Sequence, residues 1–205
     1  MKSVYERSSE LLMCVYSHVG GEISTEDRMR VFAALFSIAL EHQFSILKLI
    51  SMQSDTGVQT NTASAFALIR PLLDTVYRAF WGYFCASPAQ FQKVLDDHKH
   101  AYPPFDEIGR QLKTTHAFGQ FFLSHSHAWS PLSSYTHSGM QQIARRFDAD
   151  GNLGGSNFTE EEIDDALNGL SSLVAAFAVE FFNQTNKKQA AYEVSTLYNK
   201  HFGKT

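Results

Sequence analysis

AFALIRPLLDTVYRAFWGYF, residues 65–84, is the stretch whose reading sets the fold class. Wound at about 100° per residue, its apolar side chains cover almost the whole circumference: Phe66, Leu68, Ile69, Leu72, Leu73, Val76, Ala79, Phe80, Trp81 and Phe84. A helix that is apolar all round belongs inside a bundle, buried on several sides. Its charges are confined to Arg70, Asp74 and Arg78, whose i, i+4, i+8 spacing puts them in one narrow stripe. Burying such a stripe is unfavourable unless the charges are paired and hydrogen-bonded. The triad is therefore either an ion-pair strut between helices or the wall of a site. Pro71 removes a backbone donor inside this stretch and predicts a kink or a late start.

Outward from that helix, helical periodicity continues in both directions. Tyr5–His18 reads as a helix stopped by Gly20–Gly21, and Ser24 or Thr25 caps a second that runs from Glu26 to about Met52. The central helix starts near Thr62. Downstream, Ala89–His100 reads as a polar, solvent-facing helix, and Pro103–Pro104 precedes a short one over Phe105–Lys113. Ala117–Leu123 forms another, and a longer one covers Leu132–Phe147. Residues 148–158 read as a turn or small hairpin. Thr159 then caps a long last helix with three glutamates in its first turn, and Gln189–Phe202 closes the chain. No segment has strand period and no linker interrupts the pattern. The expectation is all-α: a single helical domain over residues 1–205, a bundle of long helices with shorter end helices.

Composition agrees with a folded protein. Of 205 residues 44% are apolar and 19% charged, and seventeen are Phe. A net charge of −4 gives no global attraction to nucleic acid or anionic lipid. Two cysteines and a charged N-terminus point to a cytoplasmic protein with reduced thiols. The most apolar run, Val31–Ile50, is interrupted by Glu41, His42, Gln43 and Lys48, which argues against a membrane span.

A second polar stripe follows in PLSSYTHSGMQQIARRF, residues 131–147. On one continuous helix His137, Gln141 and Arg145 fall at i, i+4, i+8, with Met140, Ile143 and Ala144 on the side that packs. If this helix lies beside the central one, Asp74 pairs with His137 or Arg145. A histidine so placed titrates near or above about 6.5. Arg145 and Arg146 form either a phosphate-binding patch or the ordinary basic end of a helix. Metal chemistry is not expected. His98 and His100, like His125 and His127, are spaced i, i+2 and diverge on a helix, and no third ligand is fixed by spacing. Asp148–Asn152 places its glycine and following acids wrongly for a calcium loop. No nucleophile elbow, phosphate-cradling loop or dinucleotide fingerprint occurs, so no cofactor is implied.

The combination of ALIRPLLDTVYRAFW, SYTHSGMQQIARRF and FTEEEI resembles an uncharacterised family of bacterial helical proteins that carry Arg-Pro-Leu-Leu-acid, Tyr-Thr-His-small-Gly and paired-Arg motifs. The resemblance extends from about Thr25 to Phe182 and rests on Arg70, Pro71, Asp74, Arg78, Tyr135, Thr136, His137, Gly139, Arg145 and Arg146. Asp74 stands where the family motif has Glu. More distantly the helical layout is similar to the HEPN superfamily, which implies ribonuclease or nucleotide-modifying effectors of toxin–antitoxin and phage-defence systems. That superfamily's Arg-spacer-His signature has one match here, Arg110 to His116, a spacing chance alone supplies in a chain with nine His.

Two functions compete. The first is a cytoplasmic module, a homodimer, whose interhelical site takes a small anionic ligand, a nucleotide or a protein partner through Arg70, Asp74, Arg78, Tyr135, Gln141, Arg145 and Arg146. The second is a HEPN-like effector with His137 as general acid/base and arginines on phosphate charge. A pure scaffold or immunity-type partner is the third reading. No recognisable catalytic set decides whether the chain is an enzyme.

Overall fold

The computed structural model describes residues 2–52, 61–125, 132, 135, 139–147, 150, 153 and 157–203, and for residues 123–125, 141 and 142 the backbone alone. The fold is all-α. Helix α1 spans Val4–His18 behind a Ser3/Glu6 capping box, and α2 spans Asp27–Ser51. Neither Ser24 nor Thr25 caps α2 as expected: Glu26 is its N-cap, and the Ser24 hydroxyl instead accepts from the Glu26 N–H. Helix α3, Thr62–Phe80, runs through Pro71 without a late start and passes into a π-helical turn at Trp81–Cys85. Then come α4 (Pro88–Leu95), α5 (Phe105–Thr115), α6 (Gly119–His125) and α7 (Met140–Ala144). The long α8, Glu160–Gln184, and α9, Lys188–Phe202, complete the chain. Where a turn or small hairpin was expected, Phe147 and Leu153 form one antiparallel bridge.

Helix α3 is the axis of the bundle, packed between α2, α5 and α8, while α9 lies against α8 and α1 contacts α8, α9 and α2. The core is a continuous set of rings. Phe36 stacks on Phe181 at 4.2 Å, Phe32 meets Phe177 at 5.1 Å, and Phe80 meets Phe177 at 5.3 Å. Burying each such side chain contributes about 2–3 kcal/mol, more than any ion pair on the surface. Polar contacts also cross this interior: Ser171 on α8 donates to Ser8 on α1 at 2.8 Å, both buried, and the Tyr77 hydroxyl of α3 donates to the Phe122 carbonyl of α6.

The end of α3 is fixed by long-range polar contacts. Arg28 of α2 donates to the Gly82 carbonyl at 2.8 Å and the Ala86 carbonyl at 2.7 Å, gathering acceptors that the π turn leaves over. Its guanidinium lies 4.7 Å from the centre of the Phe91 ring. Trp81 donates its indole N–H to Gln111 on α5 at 2.8 Å, and Tyr77 stacks on Phe105 at 4.0 Å. These contacts hold α5 and the loop before it beside the C-terminal end of α3.

Two sequence expectations fail here for identifiable reasons. The polar helix predicted over residues 89–100 stops at Leu95, because Asp97 and His100 take left-handed backbone (φ 49° and 64°) that a helix cannot contain. Residues 96–104 are a loop. The helix predicted over residues 132–147 is not continuous either. Gly139 is extended (φ −70°, ψ 179°) and is the N-cap of the short α7. Helices α2 and α8 are each 25 residues and contain an 18-residue window of mean hydropathy 1.3, long and apolar enough to cross a membrane by length and composition alone, a property core helices of water-soluble proteins share.

Candidate functional site

The charged stripe of α3 opens into a cleft of about 970 Å³, walled on one side by Asp74 and Arg78 and on the other by the loop after α4 and the start of α5. Loop residues on the cleft include Asp97, His98, Lys99, His100 and Tyr102. Tyr102 sits at a bend before Pro103–Pro104, and its ring lies against Arg78 and Trp81 of the α3 segment. The two left-handed, non-glycine residues in this loop are strained conformations of a kind that gathers at binding sites.

Arg78 donates to Asp74 at 2.9 Å, an i, i+4 pair whose carboxylate side chain is 26% exposed. Its guanidinium also lies 4.8 Å from the centre of the Tyr102 ring, which in turn meets Trp81 edge-on at 5.6 Å. Burial pushes the Asp74 carboxyl above the ordinary aspartate value; the positive charges of Arg78 and Arg70 oppose that and do not overcome it. The Tyr102 hydroxyl is likewise raised by burial. The Arg70–Asp74–Arg78 stripe is thus an electrostatic unit, with Asp74 the group the fold least favours in its charged form.

The second predicted stripe is not one face. The extended Gly139 interrupts the i, i+4, i+8 register between positions 137 and 141, although the Arg145 guanidinium still lies beside the Tyr135 hydroxyl, and Met140 and Ile143, expected to pack, are 73% and 45% exposed. Arg145 does not reach Asp74. It forms a two-pronged pair with Glu162 at the start of α8, with one contact of 2.8 Å, and donates to the Asn157 carbonyl at 2.9 Å. That pairing holds the Glu162 carboxyl below its usual range and raises the guanidinium further. Tyr135 is buried between Phe66 at 5.6 Å and Phe158 at 5.9 Å, and Arg145 lies 5.0 Å over Phe158. Tyr135 and Arg145 therefore join α7 to the N-terminal ends of α3 and α8, and Arg145 is committed there as an ion pair. Arg146 is half-buried beside it. His137 lies outside the described residues, and of Gln141 only the backbone is described.

The Arg110–His116 match is not brought together as a site. Arg110 is exposed and pairs with Asp106 at 3.1 Å and Glu107 at 2.8 Å. His116 is turned inward, with Nε2 3.3 Å from Glu180 and Nδ1 accepting the Phe118 N–H at 3.1 Å. Among the described residues no three His, Cys, Asp or Glu side chains converge to hold a metal. Sequence reasoning missed the loop wall of the cleft. His98 and His100 drew notice only as a metal pair, and Tyr102 drew none; the local signal was a run of polar residues ended by two prolines, at a length where a helix had no capping residue to stop it.

No curated protein and no solved structure matches the chain. A family model matches residues 36–204, a span that contains both walls of the cleft and the Arg145–Glu162 pair. The expected membership of an uncharacterised family stands on that match, whereas neither the motifs named for that family nor the likeness to HEPN proteins gains support from it. The chain belongs to the family of unknown function DUF6988.

Proposed function

We propose that the cleft beside Asp74 and Arg78 binds a small phosphorylated ligand, in the first instance a nucleotide, and that the protein is a cytoplasmic binding module. One observation carries the reading: a partly buried Asp–Arg pair, with its carboxyl destabilised by burial, stands in the wall of an open cleft of about 970 Å³ instead of being closed off as a strut. Small-molecule pockets span roughly 300–1,000 Å³, so the volume suits a nucleotide.

The charges refine the ligand class. Arg78 and Lys99 on the cleft face Asp74, Asp97 and Asp106, and Arg110 outside it neutralises Asp106. With signs balanced, a bare anion gains little from the wall. A ligand that carries both a phosphate and amino donors uses both signs, phosphate on Arg78 and Lys99, donors on Asp74.

Equilibrium dialysis of the full chain against ATP, AMP and inorganic phosphate tests this. Expected is saturable nucleotide binding, weakened at least about ten-fold by Arg78→Ala, with phosphate alone binding far more weakly. Nucleotide binding that Arg78→Ala leaves unchanged would overturn the assignment. Conversion of the nucleotide or of added RNA, abolished by His137→Ala, would move the assignment to the HEPN-like effector.

A further inference from the structure

We infer that α2 carries a self-association face: two copies pair α2 against α2, antiparallel, about a two-fold axis level with Phe44 and Ser45. Helices α2 and α8 are equal in length, and their most apolar 18-residue windows are equal in mean hydropathy, yet 56% of that window is buried in α8 and only 33% in α2. The surplus apolar surface lies on the outward side of α2, where Ile38 and Phe44 are 40% and 43% exposed and Ala34 is open. Apolar area left in water is an unfavourable term that a partner surface removes.

The charge pattern says which partner fits. Glu41 and Lys48 are exposed on this side, and among the described residues neither has an ion-pair partner. They stand equally far on either side of the proposed axis. In an antiparallel two-fold pair Glu41 therefore meets the partner's Lys48, and Lys48 meets the partner's Glu41. Each Phe44 ring falls against the small Ser45 of the other copy, which allows close approach. The face is self-complementary in charge and in size.

Its extent sets the strength. A 25-residue helix is roughly 37 Å long and about 10 Å wide, so α2 alone buries on the order of 400 Å² per copy. Durable dimers bury about 800 Å² per partner. Helix α1 adds to the patch: Tyr16 feels the Glu41 carboxylate, and Met13, one turn back, is 62% exposed. The pairing is accordingly reversible, in the micromolar range.

Sedimentation velocity of the full chain across micromolar concentrations tests the pairing, with thermal melts to show that each variant is folded. The wild type is expected to pass from monomer to dimer. E41K and K48E each replace two opposite-charge contacts by two like-charge ones and weaken the dimer by about ten-fold. An equimolar mixture of the two variants restores both attractive contacts and forms a heterodimer, and the double variant E41K/K48E recovers self-association. A wild type that stays monomeric throughout, or a mixture no better associated than its components, would overturn the proposal. So would flotation of the full chain with phosphatidylglycerol vesicles that Ile38→Glu abolishes, since that result assigns the face to lipid.

Discussion

Asp74→Asn separates a site from a strut, because the two roles predict stability changes of opposite sign. The Asp74–Arg78 contact is an i, i+4 pair at 2.9 Å with one partner 43% exposed, so its attraction is worth about 0.3–0.5 kcal/mol. Burial works the other way and is the larger effect, since the carboxyl stays above its ordinary value despite two arginines. Asparagine keeps the shape and an acceptor for Arg78 and removes the buried charge. The substitution should therefore be neutral or stabilising by up to about 1 kcal/mol, a rise in Tm of roughly 0–4 °C for a chain of this size. The sign with pH follows from linkage. An acid whose folded pKa is raised disfavours folding once ionised, so the wild-type penalty is absent below the ordinary value of 3.8 and grows as pH rises through the raised one. Calorimetric melts of both proteins between about pH 3.5 and 7.5 should show the Asn variant gaining its advantage across that interval. A variant that melts about 4 °C or more below the wild type at neutral pH would refute the reasoning and make the pair a strut.

Glu162→Ala removes both the Arg145 pair and the reciprocal contact with Thr159 at the start of α8, where the Thr159 N–H donates to the carboxylate at 2.9 Å. At this partly exposed position the loss should be about 1–2 kcal/mol, read as a lower urea midpoint at unchanged slope. Because the Glu162 and Glu180 carboxyls are held low, their stabilisation is present above the ordinary glutamate value of 4.5 and disappears as pH falls through the lowered values. His116→Ala leaves Glu180 with Gln184 as its remaining partner and removes a ring packed 4.4 Å from Phe84; about 2–3 kcal/mol should be lost in urea unfolding. Burial raises the thiols of Cys14 and Cys85, so a thiol-reactive dye at neutral pH should label the folded chain well below the rate of glutathione, and equal rates would contradict the burial.

Helix type and placement were legible wherever one physical signal acted alone. The ring-rich periodicity of α3 and the Thr159 cap with its three following glutamates predicted those elements almost to the residue. Half of the site was legible for the same reason: the spacing of Asp74 and Arg78 on a helix fixes their pairing without any tertiary knowledge. The other half depends on where a loop folds. The left-handed backbone of Asp97 and His100 carries no sequence mark, since neither is glycine, so the wall they form was read as more helix. Gly139 illustrates the opposite error. Its low helix propensity, about 1 kcal/mol against alanine, was outweighed in the reading by an attractive i, i+4, i+8 pattern that the break dissolves. Charge on neighbouring helices makes His137 or Arg145 a partner for Asp74 in the sequence, whereas Arg145 takes the two-pronged contact with Glu162, a choice that depends on tertiary placement.

Whether the Asp74–Arg78 cleft takes a nucleotide is reported directly by the imidazole signals of His98 and His100 in a ¹H–¹³C correlation spectrum, since both residues line that cleft. Titration with ATP should move these two resonances, leave that of the inward-facing His116 in place, and lose its effect in Arg78→Ala. Signals of His98 and His100 that stay fixed at saturating ATP would contradict nucleotide binding there.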